Sequence, residues 1–131
     1  MINVLVVEDS KDVRYSIKTA LESFKKTYTV VEACSAEDCF KKLKTFMPDV
    51  ILMDIMMPGM DGVEAAKKLK NDEKYSKIKI IFLTAKNDSF TKGTGRLTGE
   101  DFIVKPFDSA NLDARIKASL TGIKKIDSPD R

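Results

Sequence analysis

Short, almost wholly apolar segments recur along this chain, and each is followed by a stretch with apolar residues at helical spacing. The first segment, Ile2–Val7, is interrupted only by Asn3. A strand with consecutive apolar residues is typically buried on both faces, as in a parallel sheet that helices cover. Further strands are predicted at Tyr28–Ala33 and at residues 49–54, 78–83 and 102–104. Strands that alternate with helices predict an α/β domain with one parallel, doubly wound sheet.

Polar residues mark where the helices between these strands begin. Ser10 and Ser35 are predicted N-caps, because a serine hydroxyl can accept a hydrogen bond from the first helical turn. A third helix is predicted at residues 61–73, and the last helix is predicted to be capped by Asp108 or Ser109. Residues 87–99 should form a fourth helix but contain three glycines, each of which costs about 0.5–1 kcal/mol relative to alanine. We therefore expect this fourth helix to be short or frayed.

Composition limits the possible functions. The chain has 131 residues, of which 43% are hydrophobic and 33% charged, as is ordinary for one soluble domain. Residues 1–121 are predicted to form that domain, and residues 122–131 a tail or the start of a linker. Histidine is absent, which excludes a histidine phosphotransferase, a Ser-His-Asp hydrolase and a histidine-ligated metal centre. Cys34 and Cys39 are expected to be buried or half-buried thiols rather than a disulfide.

The sequence also limits location and partners. No apolar run approaches the ~20 residues that cross a bilayer, and the N-terminus lacks a signal-peptide pattern. We therefore expect a cytoplasmic protein without a membrane partner. The net charge of +3 is spread over the helices, so a nucleic-acid partner is not expected.

Polar residues stand where four of the predicted strands end. Glu8 and Asp9 follow the first strand, Asp54 ends the third, Thr84 follows the fourth and Lys105 the fifth. Open parallel sheets form their sites outside the C-terminal ends of the strands, so we expect one shared cluster. Carboxylates without histidine or thiolate suit a hard divalent ion, Mg²⁺ first and Mn²⁺ as the alternative. Asp54 is the predicted nucleophile, since an acid that ends an apolar strand is costly without a partner.

Five sequence elements together resemble the receiver domain of bacterial response regulators. In chain order they are Glu8-Asp9, Asp54, the run Met57-Pro58-Gly59-Met60-Asp61-Gly62, Thr84-Ala85 and Lys105-Pro106-Phe107. Each element is weak alone, but all five in this order at predicted strand ends are highly specific. The resemblance covers residues 2–120. It implies a flavodoxin-like fold with strand order 2-1-3-4-5 and helices on both faces of the sheet.

The resemblance also implies a role for each matching residue. Asp54 would be the phosphoacceptor, and Asp9 and Asp54 would bind Mg²⁺ through their side chains. Met56 would bind the ion through its backbone carbonyl, and Glu8 would bind it through a water molecule. The other implied features are phosphoryl binding or switching by Thr84, Ala85, Lys105 and Phe102, a cis Lys105–Pro106 bond, and tuning of hydrolysis by Met56 and Lys86.

The implied function is a phosphorylation-controlled switch rather than an enzyme acting on other substrates. A sensor histidine kinase or a histidine-containing phosphotransferase would donate the phosphoryl group to Asp54. Thr84 would then move inward and Phe102 would fill the vacated space, which reshapes the face formed by the fourth helix, fifth strand and fifth helix. That face would bind a downstream effector until the domain hydrolyses its own acyl phosphate. A monomer is expected, with a dimer on phosphorylation as the alternative.

Two other classes of function remain open from the sequence. One is a pseudo-receiver that partner binding controls without phosphorylation, although the complete acid set argues against it. The other is a small aspartyl-phosphate phosphatase, which would carry a second aspartate where this chain has Met56. The chain also departs from the family pattern at Phe102, where tyrosine is frequent, and we expect Phe102 to favour its buried rotamer. Residues 87–99 are expected to become ordered on phosphorylation or on binding a partner.

Overall fold

The computed structural model describes residues 1–84 and 101–121. The described elements are β1 (Ile2–Val7), α1 (Lys11–Glu22), β2 (Tyr28–Ala33), α2 (Ala36–Leu43), β3 (Val50–Asp54), α3 (Gly62–Lys70), β4 (Lys79–Thr84), β5 (Asp101–Val104) and α4 (Ser109–Thr121), and strands alternate with helices as predicted from β1 to β4. The predictions for Ala85, Lys86, the glycine-rich helix at 87–99 and the tail at 122–131 lie outside the described residues.

The five strands form one parallel sheet in the order β2-β1-β3-β4-β5, which confirms the predicted flavodoxin-like topology. Successive residues of β1 divide between two cores. Leu5 and Val7 pack on the side that α2 and α3 cover, whereas Val4 and Val6 pack on the side of α1 and α4. Because both faces are covered, charged residues are confined to strand ends or need partners from the helices.

Helix α3 is shorter than predicted. It ends at Lys70 rather than near Glu73, because residues 71–74 are all exposed and bring no apolar side chain to the core. The turn after it is instead closed by the Lys70 ammonium, which donates hydrogen bonds to the carbonyl groups of Ser76 and Ile78 at 3.4 and 3.0 Å. Within residues 1–84 and 101–121, no helix has both the length and the apolar character needed to cross a bilayer.

Each described helix begins at a side-chain cap. The hydroxyl groups of Ser10 and Ser35 accept hydrogen bonds from the amide three residues on, as predicted. Asp61 caps α3 in the same way and so lies just before the helix that it was predicted to begin. Asp108 Oδ1 accepts a hydrogen bond from the Asn111 amide at 2.8 Å, which selects Asp108 rather than the serine after it as the cap of α4.

Both cysteines are free thiols, but only one is buried. Cys39 belongs to α2 and faces the core, and burial raises the pKa of its thiol to about 12. Cys34 is exposed, so the prediction of a buried or half-buried thiol is wrong for this residue. The reason is its position, since β2 ends at Ala33 and Cys34 already belongs to the loop before α2.

Asp38 and Glu37, both in the first turn of α2, form a matched pair for measuring the cap. Asp38 Oδ2 accepts a hydrogen bond from the Cys34 amide at 3.0 Å, and this bond holds the pKa of Asp38 below its ordinary value. Asp38→Ala should therefore lower the free energy of unfolding by about 1 kcal/mol at pH 7 in a urea titration. A carboxyl group whose pKa is lower in the folded than in the unfolded protein stabilises the fold at pH values above its unfolded-state pKa. The stability difference between wild type and Asp38→Ala should therefore shrink as the pH falls through the folded-state pKa of Asp38.

The control is Glu37→Ala, which removes an exposed charge from the same helical turn but leaves the amide of Cys34 bonded. Its free energy of unfolding should fall by a few tenths of a kcal/mol, as expected for a helix-dipole charge alone. Equal losses for the two variants at pH 7 would contradict the capping role of Asp38.

Candidate functional site

Carboxyl groups from two neighbouring strands meet at the C-terminal edge of the sheet. Val7 in β1 lies opposite Met53 in β3, so the residues that follow, Glu8 and Asp54, end side by side. Asp9 continues the loop after β1. One carboxylate oxygen from each of Glu8, Asp9 and Asp54 lies within 4.8 Å of the others. The register of two strands thus brings together the three acids that the sequence predicts for this site.

The ammonium group of Lys105 faces this acid cluster. Its Nζ donates to Glu8 Oε1 at 3.2 Å and to Asp54 Oδ1 at 3.5 Å. The residue follows β5 directly, and its amide donates to the Thr84 carbonyl at 2.7 Å, which continues the β4–β5 pairing by one bond. The Lys105–Pro106 peptide bond is cis, the isomer that the resemblance implies. The chain therefore turns at the point where its side chain reaches the carboxylates.

Glu8 is almost completely buried, with 2% of its surface exposed, and both of its carboxylate oxygens are bonded within the protein. Oε1 accepts from Lys105, and Oε2 accepts from the Ser10 amide at 3.0 Å. Asp9, by contrast, is exposed, and Asp54 is 6% exposed at the end of β3. Such a Glu8 fits contact with a cation through water, while Asp9 and Asp54 are better placed for direct contact.

Burial raises the pKa of both acids at the centre of the site. For Glu8, burial outweighs the hydrogen bond from the Ser10 amide, and the charge of Asp54 adds to the upward shift. For Asp54, burial outweighs the attraction of the nearby Lys105 ammonium. The Lys105 ammonium therefore does not fully compensate the two buried carboxylates, and additional positive charge would favour their ionised forms.

The donor set fits a hard divalent cation. Three carboxyl groups provide oxygen ligands, and neither a thiolate nor an imidazole lies among them. Mg²⁺ prefers such oxygen ligands and usually binds one or two carboxylates while keeping several waters. The chemistry of these side chains thus agrees with the ion that the sequence predicts.

The other predicted site residues that the structure describes differ in how deeply they are buried. Thr84 is 1% exposed and ends β4, one residue beyond Leu83, which pairs with Asp54. Met56 has a side chain that is 60% exposed, as expected if only its backbone carbonyl is used. Phe102 is half-buried and packs against the core on the side of α2 and α3. Its proposed movement stays a prediction.

Gly62, the first residue of α3, lies against the backbone of Asp54, a contact that the sequence does not predict. A Cβ at Gly62 would lie 2.2 Å from the Asp54 carbonyl oxygen and 3.0 Å from the Ile55 Cα. The Gly62 amide also donates to the Ile55 carbonyl at 2.9 Å. Only glycine allows the start of α3 to pack this closely beneath the central acid.

Arg14 in α1 is a second residue for which the sequence predicts no role. Its Nη1 donates to the carbonyl oxygens of Glu8 at 2.7 Å and Asp9 at 3.4 Å, and its Nε donates to Glu32 Oε1 at 3.4 Å. A sequence signal did exist, because Glu32 lies two residues after Val30 and therefore on the same face of β2, the face that packs towards α1. An acid at such a position needs a partner.

Comparison with known proteins gives consistent matches. The chain matches the family model described as the response regulator receiver domain over residues 4–117. It is 32% identical to protein PilG of Pseudomonas aeruginosa, covering 97% of this chain and 93% of PilG. It is 40% identical to the phosphate regulon transcriptional regulatory protein PhoB of the same organism, over 89% of this chain. It is 36% identical to the alkaline phosphatase synthesis transcriptional regulatory protein PhoP of Bacillus subtilis, also over 89% of this chain. The chain spans about half the length of PhoB and PhoP (51% and 48%).

Solved structures match the fold as well. The chemotaxis protein CheY4 of Vibrio cholerae superposes with a TM-score of 0.82 at 29% identity, covering 92% of this chain and 99% of CheY4. A putative response regulator from Chloroflexus aurantiacus superposes with a TM-score of 0.84 at 28% identity, covering 92% of this chain and 98% of the other.

Gly62→Ala should disturb the backbone of Asp54. The added methyl group meets backbone atoms, which cannot move aside as a flexible side chain can, so we expect a loss of about 1–3 kcal/mol in the free energy of unfolding. The Asp54 and Ile55 amide signals in a ¹H–¹⁵N NMR spectrum should shift. The matched control is Gly59→Ala, where a Cβ meets nothing within 4 Å although the φ of +77° is strained for alanine. Gly59→Ala should lose stability without moving these signals; unshifted signals in Gly62→Ala would refute the close contact.

Asp54→Asn should raise the free energy of unfolding at pH 7 in the absence of divalent ions. A carboxyl group whose folded-state pKa is raised stabilises the fold while it is protonated and loses this contribution as the pH rises through that pKa. The advantage of the amide should therefore grow between pH 3.5 and pH 7, a range that begins near the ordinary aspartate pKa of ~3.9. Urea unfolding of the two proteins at several pH values measures it. A constant difference across this range would show that Asp54 is not strained by burial.

Proposed function

Because the chain belongs to the response regulator receiver family, we propose that Asp54 accepts a phosphoryl group and that the domain acts as a phosphorylation-controlled switch. The observation that carries the proposal is the convergence of the Asp54 carboxylate with two further acids and the Lys105 ammonium. An inert acid at the end of an apolar strand would need only one neutralising partner. A surplus of carboxylates beside an ammonium instead suits a site that admits a cation and an anionic phosphoryl group together.

The donor is proposed to be a phosphohistidine on a sensor histidine kinase or a histidine-containing phosphotransferase, since this chain has no histidine of its own. The carboxylate of Asp54 attacks phosphorus, the bond from phosphorus to the imidazole nitrogen breaks, and an acyl phosphate remains on Asp54. Asp9, Asp54 and the Met56 carbonyl would hold Mg²⁺ directly, and Glu8 would hold it through water. When bound, this ion supplies the positive charge that offsets carboxylate repulsion and attracts phosphoryl oxygens.

Lys105 is proposed to bind a phosphoryl oxygen. In the unmodified protein its ammonium contacts Glu8 and Asp54, and it can shift to a phosphoryl oxygen while remaining near both. The hydroxyl of Thr84, at the neighbouring strand end, is proposed to donate to another phosphoryl oxygen. Its inward movement would make room for Phe102. Water would hydrolyse the acyl phosphate and return Asp54 to its carboxylate, at a rate tuned by Met56 and Lys86. The domain would thus accept a phosphoryl group on its own Asp54 and release it to water, without acting on other substrates.

The output is proposed to pass through a face formed by β5, α4 and the helix that the sequence predicts at residues 87–99. An effector protein or domain would bind there, in keeping with the transcriptional regulators among the relatives. We propose a monomer in the unphosphorylated state and a cytoplasmic location. The proposed function needs no contact with nucleic acid or membrane by this domain itself.

Phosphorylation can be tested with small donors. Incubation with acetyl phosphate or phosphoramidate and Mg²⁺ should add the mass of one phosphoryl group to the wild-type protein, as read by intact-protein mass spectrometry. Asp54→Asn should gain none, and chelation of Mg²⁺ should stop the reaction. Asp12→Asn is the matched control, because Asp12 is an exposed acid in the first turn of α1 that stands outside the cluster, and this variant should react like wild type.

Two results would favour the rival functions. A wild-type protein that gains no mass with either donor would favour a pseudo-receiver controlled by partner binding. Rapid and repeated turnover of varied phosphoesters would favour a phosphatase.

A further inference from the structure

The Arg14 side chain contacts the backbone of the loop that carries Glu8 and Asp9. Its guanidinium donates from Nη1 to both carbonyl oxygens of the acid pair, at 2.7 Å to Glu8 and 3.4 Å to Asp9. These bonds go to the backbone carbonyl groups of Glu8 and Asp9, whereas the side-chain carboxylates of the same two residues belong to the acid cluster. Arg14 therefore touches the backbone that supports the acids.

Glu32 in turn fixes Arg14. Glu32 Oε1 accepts from Arg14 Nε at 3.4 Å, and its Oε2 lies 3.7 Å from the Lys18 ammonium. The Glu32 carbonyl accepts from the Lys42 ammonium at 2.7 Å. Only 15% of the Arg14 side chain is exposed, so its planar group has little freedom to turn away from the loop. The guanidinium thus links the acid-bearing loop to β2 through donors in a fixed geometry.

Asp9 is the acid that depends most on this support. It is exposed, whereas Glu8 and Asp54 are fixed by burial in the surrounding core. For Asp9 the direction of the carboxylate follows mainly from the backbone that carries it. A Mg²⁺ site demands near-ideal octahedral geometry at about 2.0–2.1 Å, so a small displacement of one ligand is costly.

We propose that Arg14 is a positioning residue that holds the Glu8–Asp9 backbone in the geometry required for divalent-cation binding. This inference rests on the proposed Mg²⁺ site at the acid cluster. A purely structural role would look different, since a partly exposed ion pair between α1 and β2 contributes only about 0–1 kcal/mol to stability and leaves the cation affinity unchanged.

The charge of Arg14 and its proposed positioning role predict opposite changes in Mg²⁺ affinity when Arg14 is removed. Arg14 is a positive charge near a cation site, so its removal would strengthen Mg²⁺ binding if charge were its only influence. If Arg14 positions the loop, its removal weakens Mg²⁺ binding. Arg14→Lys keeps the charge but loses the rigid fork of donors, and should also weaken binding.

The experiment measures the Mg²⁺ dissociation constant by isothermal titration calorimetry for wild type, Arg14→Ala and Arg14→Lys. We expect binding to weaken by about 10–100-fold in Arg14→Ala, as when a residue that orients metal ligands is removed, and by less in Arg14→Lys. Lys18→Ala is the matched control, because Lys18 lies one turn further along α1 and contacts the other oxygen of the same Glu32. Lys18→Ala should bind Mg²⁺ at least as tightly as wild type.

A second measurement needs no metal. The Ser10 amide donates to Glu8 Oε2, so its hydrogen exchange reports the geometry of this loop. In metal-free protein this amide should exchange faster in both Arg14 variants, while the amides of β1 and β3 exchange as in wild type. Unfolding titrations measure overall stability in parallel. If Arg14→Ala does not fold, Arg14→Lys carries the test alone.

The results separate this inference from the proposed function. Wild-type Mg²⁺ affinity and unchanged Ser10 exchange in a folded Arg14 variant would overturn the positioning role while leaving the phosphoacceptor proposal standing. Tighter Mg²⁺ binding in Arg14→Ala would overturn it in favour of simple charge repulsion. A wild-type protein that neither binds Mg²⁺ nor gains a phosphoryl group would overturn the proposed function, and the inference with it.

Discussion

Two buried carboxyl groups, those of Glu8 and Asp54, share the ammonium group of Lys105 at the edge of the sheet. Burial raises the pKa of both, so the unmodified site holds its acids under electrostatic strain. The parallel register requires this closeness, because β1 and β3 are neighbours and both acids follow directly from paired strand residues. Two further contacts hold these groups in place. Gly62 packs against the backbone of Asp54 at the end of β3, and Arg14 donates hydrogen bonds to the backbone of Glu8 and Asp9 after β1.

Much of this arrangement is readable from local sequence. The apolar runs predicted the strands, and the rule that parallel sheets form sites at their C-terminal ends selected Glu8, Asp9, Asp54 and Lys105 before any contact was known. Serine and aspartate caps were equally local, since each bonds an amide three residues away. These features depend on spacing within one element, or on the direction in which all strands point.

What the sequence did not predict depends on distances across the chain. The contact between Arg14 and Glu32 joins residues 18 apart and exists only because α1 lies over β2. The packing of Gly62 against the Asp54 carbonyl group, which leaves no room for a Cβ, depends on the exact path of the loop between β3 and α3. Cys34 was misjudged for a related reason, since one residue at a strand end separates a core position from an exposed one. Packing decides each of these cases.

Lys105, which brings its ammonium group to the site, directly follows β5, the shortest of the described strands. Strand β5 has four residues and, among the described strands, lies at the edge and pairs only with β4, so native-state opening of this region is expected to cost less than global unfolding. Each opening would withdraw Lys105 and leave two buried acids facing each other. Fraying of the edge strand and the charge balance of the site are therefore thermodynamically linked. A ligand that retains Lys105 would lower the population of molecules with a frayed β5 without touching that strand.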